Sequence, residues 1–262
     1  MKMDESFEDV GFLSDDNLGF YDVFENDYSE LWGFCKDLNR MAQSLCYSEH
    51  IQINECNLND VVLTSLFIKS LEDYQATLLL SSKGMSQQAM TQARALLESV
   101  IIWMACLKDR EYLKIYLDCD ESEVRRTFMK IKDVAEQSYR LELEELCFNM
   151  SKNMKFELNV AVRRSGMLKY YNKFYSFMSH VAHTLPRSIE RKLDTSKKSF
   201  IHEPLLRPQG FILKTVLDIF QFGYGHWIEY LNCETKEWSQ FINEIELFLN
   251  SQEQKELDVY DF

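Results

Sequence analysis

The amino-acid sequence predicts an all-α protein, a single helical domain of about seven to nine helices with acidic terminal arms. The 262 residues are 46% apolar, which is enough for one sizeable core. They include only 8 glycines and 3 prolines, whereas a many-stranded β fold needs more tight turns than so few turn-forming residues supply. Apolar residues also recur every three to four positions along most of the chain, as they do in amphipathic helices.

Apolar residues at helical spacing divide the chain into helices, and capping residues mark where several of them begin. Asn59 and Ser86 are expected to cap the second and third helices, and Gly84 is expected to end the second. Asp120 and Glu123 have the spacing of a capping box and predict the start of the fourth helix. The predicted helices span about 27–48, 59–84, 87–107, 120–150 with a break near 138, 154–163, 167–184, 210–231 and 236–250.

The two ends of the chain differ in charge from the middle. Residues 1–30 carry a net charge of −9 and residues 234–262 a net charge of −6, within a total of −13. We therefore predict an acidic aromatic arm at 1–25, a helical domain at 26–250 and an acidic tail at 251–262.

The segment 151–217 has the opposite charge, with thirteen lysines and arginines against four acidic residues and a net charge of +9. Such a local field can attract phosphate or nucleic acid whatever the charge of the whole protein. The alternative is an ordinary solvated surface that the acidic ends partly neutralise, because no basic run with interleaved aromatics appears. The segment includes a long connection at 186–209, and such connections are often functional.

Nothing in the sequence indicates export, membrane insertion or a metal site. The start of the chain lacks the basic and apolar regions of an export signal. Lys214, Asp218 and Glu229 interrupt the apolar stretch at 211–231, and their charges would be costly in lipid. The seven cysteines contain no Cys-x-x-Cys pair, which argues against a zinc ribbon and a disulfide framework. We expect a cytoplasmic protein with no cofactor, no metal and no membrane partner.

The predicted helix at 87–107 has one charged residue in an otherwise apolar stretch. Between Ala95 and Leu107 only Glu98 is charged, and burial of a lone carboxylate is expensive unless it is paired or protonated. Arg94 lies one turn earlier on the same side and can be its partner. Glu98 therefore either holds a second helix in place or works in a site, and both interpretations stay open.

A second polar group lies on the predicted helix at 167–184. Tyr175, Ser179 and His183 recur at four-residue steps, which places them along one flank. A serine and a histidine one turn apart can hydrogen-bond, and a carboxylate such as Glu98 can orient the imidazole. A nucleophilic mechanism further needs an oxyanion site, for which no strand–elbow–helix motif appears. The alternative is a satisfied core histidine.

Together the two motifs resemble an uncharacterised all-helical bacterial family that is known only as a domain of unknown function. The motifs are Arg94-x-x-x-Glu98 and Tyr175-x-x-x-Ser179-x-x-x-His183, within the stretches RALLESVIIWMACL and KFYSFMSHVAHTLP. The resemblance extends over about 60–230, and members occur patchily in bacteria, sometimes near restriction or phage-defence genes. It implies no established activity, but it groups these residues together. We predict that Glu98 and His183 come close across two packed helices, with Arg94 and Ser179 beside them.

Two classes of function are consistent with the sequence. One is a defence-associated effector that acts on nucleic acid or a nucleotide, with His183 as acid–base group, Glu98 beside it and the basic segment 151–217 holding phosphates. The other is a non-catalytic interaction or scaffold protein that binds a protein partner or forms a homodimer. No histidine follows an arginine at the spacing of helical ribonuclease toxins, and neither a Gly-rich phosphate loop nor paired Glu-x-x-His helices are present.

Overall fold

A computed structural model describes residues 6–14, 19–51, 58–134, 155–182, 193–194, 198–200 and 202–253, and it confirms the all-α class. The predicted features at 138–150, at 254–262 and in most of 186–209 lie outside these residues. The first described elements are α1 Phe7–Val10, a 3₁₀ turn Gly11–Leu13, α2 Phe20–Asp27, α3 Ser29–Cys46, α4 Leu58–Ser82, α5 Ser86–Lys108 and α6 Arg110–Val134. They are followed by α7 Leu158–Ser165, α8 Leu168–Tyr170, a π-helix Tyr171–Tyr175, α9 Ser176–Ala182, α10 Gln209–Tyr230 and α11 Lys236–Glu253. Between α9 and α10 lie two antiparallel two-residue strands, β1 Leu193–Asp194 and β2 Ser199–Phe200.

The central element is α5, as its apolar sequence predicts. It packs against α4, α6, α7, α9 and α10, and Ile101 and Trp103 are fully buried. Phe67 of α4 and Trp227 of α10 pack on the Trp103 ring. By length and composition α5 alone among the described helices could cross a membrane. This is weak evidence, because the central helix of a bundle has the same composition.

The predicted arm at 1–25 forms two short helices where the structure describes it. A capping box at Ser6 starts α1, and α2 buries Phe20 and Phe24 in the core. The Phe24 ring meets Trp32 of α3 edge to face, with 5.2 Å between the ring centroids. Helices of four and eight residues are too short for a clear apolar periodicity, so the sequence did not reveal them.

The predicted caps of α4 and α5 are wrong. Asn59 is the second residue of α4, and Ser86 is the first residue of α5, after Met85 at the cap position. The Ser86 hydroxyl instead accepts a hydrogen bond from Gln209 Nε2 at 2.9 Å. Ser86 therefore joins the start of α5 to the start of α10, a tertiary role that its local sequence does not signal.

The helix α6 begins about ten residues before the predicted start. Asp109 directly follows α5, and its Oδ1 accepts hydrogen bonds from the backbone N–H groups of Glu111 and Tyr112 at 3.0 and 3.2 Å. A carboxylate in this position satisfies N–H groups that the first turn of a helix leaves free. Asp120 and Glu123 therefore lie inside α6, and their spacing marks no helix start.

Replacing Gly84 by Ala is expected to lower the free energy of unfolding by about 2 kcal/mol. Gly84 follows α4 with a φ of +75°, and an added Cβ would lie 2.5 Å from the Cβ of Pro204, whose ring cannot yield. Urea denaturation measures the change. Gly19→Ala is the matched control, because Gly19 has a φ of +66° and no atom of the described residues lies within 4 Å of an added Cβ. Equal losses in the two variants would contradict the role of the Pro204 contact.

Candidate functional site

Polar residues of α5 meet the π-helix in a group that we call the polar cluster: Arg94, Glu98 and Tyr175. Arg94 Nε donates a hydrogen bond to Glu98 Oε1 at 3.0 Å, and its Nη2 donates to the Tyr175 hydroxyl at 3.1 Å. The guanidinium carbon also lies 5.1 Å from the centroid of the Tyr175 ring. The structure thus brings together three of the five residues that the sequence singled out.

Glu98 is half-buried, and the prediction that it is a buried carboxylate is wrong. Its side chain is 34% exposed, and that of Arg94 is 24% exposed. Solvent therefore reaches the cluster along this flank of α5, and an ion pair in such a place contributes at most about 1 kcal/mol to stability. The same access allows a ligand to reach Glu98 and Arg94.

The buried carboxylate of this region is Asp73 of α4, whose side chain is only 5% exposed. Ser99 Oγ donates to its Oδ2 at 2.6 Å, and Gln92 Nε2 donates to its Oδ1 at 2.7 Å. Lys69 of α4 completes the group with an ion pair. These donors compensate the cost of burying the charge and join α4 to α5. Asp73 is therefore a structural residue, and Glu98 is not needed for that role.

The π-helix interrupts the single helix that was predicted at 167–184. Segments of this kind are rare and occur frequently at functional sites. The Tyr171 ring, which the sequence interpretation missed, stacks on Tyr175 with 4.5 Å between ring centroids and an angle of 22°. Their four-residue spacing was the available signal. The stack restrains the ring that presents its hydroxyl to Arg94.

The surroundings of the cluster favour a protonated tyrosine and a charged arginine. Burial raises the pKa of the Tyr175 hydroxyl, the charge of Glu98 raises it further, and Arg94 acts against both. Burial lowers the pKa of Arg94, but the attraction of Glu98 and Tyr175 outweighs burial, and the net pKa is raised. At neutral pH the cluster therefore presents a cation and a phenol that can donate a proton to a hydrogen bond.

Ser179 lies on α9, one turn beyond Tyr175. Its hydroxyl oxygen is buried and has no hydrogen-bond partner among the described residues, which is uncommon in folded proteins. His183 follows one turn later but lies outside the described residues. The approach of His183 to Glu98 therefore stays a prediction.

The described part of the basic segment 151–217 uses some of its charge within the fold. Arg164 forms an ion pair with Asp109, and Lys173 Nζ lies 5.0 Å from the centroid of the Phe174 ring. Attraction of phosphate by this segment remains a prediction. The cation of the polar cluster is Arg94, which lies outside this segment.

Burial changes the acidity of two cysteine thiols among the described residues. Burial raises the pKa of the Cys35 and Cys106 thiols to about 12, so both are protonated at neutral pH and are weak nucleophiles. Within the part of the chain that the structure describes, no group of three or more His, Cys, Asp or Glu residues is placed to hold a metal ion.

Replacing Tyr175 by Phe is expected to lower the free energy of unfolding by about 1 kcal/mol. The change removes the acceptor of Arg94 Nη2 but keeps the ring that stacks on Tyr171. Thermal unfolding measures the effect. Tyr171→Phe is the control, since it removes the hydroxyl of the other stacked ring and is expected to change stability little. A larger loss of stability in Tyr171→Phe than in Tyr175→Phe would contradict the contribution of the hydrogen bond between Arg94 and the Tyr175 hydroxyl.

These observations define an all-α protein in which a half-exposed polar cluster joins the central helix to a π-helix. The chain belongs to a family described as a Family of unknown function (DUF5677), whose model matches residues 60–200. The predicted resemblance to an all-helical family of unknown function is thereby confirmed, and the matched range includes every residue of the predicted site. No curated protein and no solved structure matches the chain.

Proposed function

We propose that the protein is a bacterial defence effector that acts on nucleic acid or a nucleotide through the polar cluster. The observation that most supports this proposal is the half-exposed Arg94–Glu98 pair, held against Tyr175 on a π-helix. Arg94 uses Nε and Nη2 within the described residues, and its Nη1 group carries further donors that suit a phosphate oxygen. The defence context is inferred from the resemblance to a family whose members are sometimes found near restriction or phage-defence genes.

The proposed chemistry is hydrolysis at phosphorus. Glu98 takes the proton of an attacking water, whose oxygen forms a bond to phosphorus while the bond to the leaving oxygen breaks. His183 gives a proton to that leaving oxygen, a role for which histidine as a residue type is suited near neutral pH. Arg94 and the Tyr175 hydroxyl stabilise the negative charge that develops on the phosphoryl oxygens.

A second candidate is a non-catalytic interaction protein that binds a protein partner or forms a homodimer. Two observations favour it. Arg94 is bonded to both Glu98 and Tyr175, as a structural connection between two segments requires. Large apolar side chains are also exposed on two helices, with Leu79 at 64% and Leu247 at 72%, and such residues can contribute to an interface.

Expression in bacterial cells separates the two candidates. Growth and protection against phage are measured for the wild-type protein, for Glu98→Gln and for His183→Ala, with circular dichroism to establish folding. Glu111→Gln, at an exposed position of α6, is the matched control. The effector proposal predicts that toxicity or protection is lost in the first two variants and kept in the control. A phenotype that survives both substitutions in folded protein contradicts it and favours the interaction protein.

A further inference from the structure

A cavity lies at the start of α5 and extends to Met90, one helical turn before Arg94 of the polar cluster. Its volume is about 540 Å³, within the roughly 300–1,000 Å³ that is typical of small-molecule sites. Three phenylalanine rings line it, from Phe12, Phe177 and Phe211, together with Met85 and Met90. These residues come from the N-terminal segment, the start of α5, α9 and α10, so the cavity exists only in the assembled fold.

Helix geometry connects this cavity to the polar cluster. Gln87 and Met90 line the cavity from α5, and Arg94 follows Met90 on the same flank after about 6 Å along the helix axis. A ligand that fills the cavity and extends by about one more turn along α5 would therefore approach the guanidinium of Arg94.

The lining suits a flat heteroaromatic ring better than a sugar. Phenylalanine faces stack on such rings, and methionine side chains adapt to their outline. Gln88, an exposed residue at the start of α5, adds an amide group that can hydrogen-bond to the edge of a base. A sugar would place hydroxyl groups against the phenyl rings.

We propose that the cavity binds the base of a nucleotide whose phosphate contacts Arg94. This inference rests on the proposed function and specifies its substrate class as a nucleotide unit held at both base and phosphate. Stacking on aromatic side chains tolerates every base, because each has a π face. The arrangement predicts that the base and the phosphate contribute to affinity through different residues.

Calorimetry at low salt with AMP, adenosine and ribose 5-phosphate tests whether the base and the phosphate contribute to affinity through different residues. AMP is expected to bind at least about tenfold more tightly than either fragment, and Phe177→Ala is expected to weaken AMP and adenosine about tenfold. Arg94→Gln is expected to weaken AMP and leave adenosine unchanged. Met85→Trp, which fills the cavity from its half-buried margin, is a second variant in case Phe177→Ala does not fold. Leu168→Ala, at an exposed position, is the control.

Three results would overturn the inference: no binding of AMP at millimolar concentration, ribose 5-phosphate that binds as tightly as AMP, or unchanged AMP affinity in folded Phe177→Ala and Met85→Trp. None of them removes the proposed function if the wild-type protein still cleaves nucleic acid. Failure of the proposed function is a different result: AMP binds as expected, but the protein converts no nucleotide or nucleic acid and Glu98→Gln has no cellular effect.

Discussion

Replacing Asp73 by Ala is expected to lower the free energy of unfolding by about 3 kcal/mol. The Asp73 carboxylate is almost wholly buried and accepts hydrogen bonds from Gln92 and Ser99 at 2.7 and 2.6 Å. Its removal leaves these two donors without their acceptor between α4 and α5, where water does not replace it at low cost. Lys69 is 55% exposed, so its ammonium group returns to solvent and adds little to the loss.

Urea denaturation followed by circular dichroism measures this loss. Glu72→Ala is the matched control, because Glu72 is the exposed neighbour on the same helix, and it is expected to change stability by less than about 0.5 kcal/mol. Asp73→Asn keeps an acceptor oxygen and is expected to cost less than Asp73→Ala. Similar losses in Asp73→Ala and Glu72→Ala would contradict the structural role of Asp73.

Replacing Glu98 by Gln is expected to lower activity strongly and stability little, the opposite of what is expected for Asp73→Ala. Turnover of a nucleic acid or nucleotide substrate should fall by a factor of about 100 or more, since the variant lacks the proposed proton acceptor. The free energy of unfolding should change by less than about 1 kcal/mol, because the side chain is 34% exposed and glutamine keeps an acceptor for Arg94.

Kinetics and denaturation must therefore be measured on the same preparation of Glu98→Gln. Glu111→Gln, an exposed substitution on α6, is expected to change neither quantity. A Glu98→Gln protein that loses several kcal/mol of stability while its folded fraction retains full turnover would assign Glu98 to the scaffold.

The fold was predictable because its main determinant is periodic along the chain. The apolar circumference of α5 identified the central helix, and the burial of Ile101 and Trp103 agrees with that position. Helix starts were less predictable, since Asp109 was available as an acceptor before α6 and Ser86 bonds across the fold to Gln209. Local spacing does not distinguish a capping residue from one that makes a tertiary hydrogen bond.

The polar cluster was predictable in part. Four-residue spacing placed Arg94 beside Glu98, but it did not show that this flank of α5 is accessible to solvent. Asp73 was missed because Lys69, one turn earlier, gives the two residues the spacing of an ordinary exposed ion pair. The direction in which each flank faces is set by packing between helices that are distant in sequence.

The cavity could not be predicted from the sequence. Phe12, Met90, Phe177 and Phe211 line it from four separate segments, and each of these residues alone has the pattern of an ordinary core side chain. The π-helix was equally hidden, since YNKFY fits a regular helix by composition. Both features depend on how α5, α9 and α10 pack together.

The most direct test of the proposed activity is whether the purified wild-type protein converts a phosphate-containing substrate at low salt, where electrostatic binding is strongest. RNA, DNA and nucleotides are each incubated with the folded protein, and products are separated by electrophoresis or chromatography. We expect at least one substrate to be cleaved by the wild-type protein and by Glu111→Gln, but not by Glu98→Gln or Arg94→Ala. Folded wild-type protein that neither binds nor alters any of these substrates would contradict the proposal.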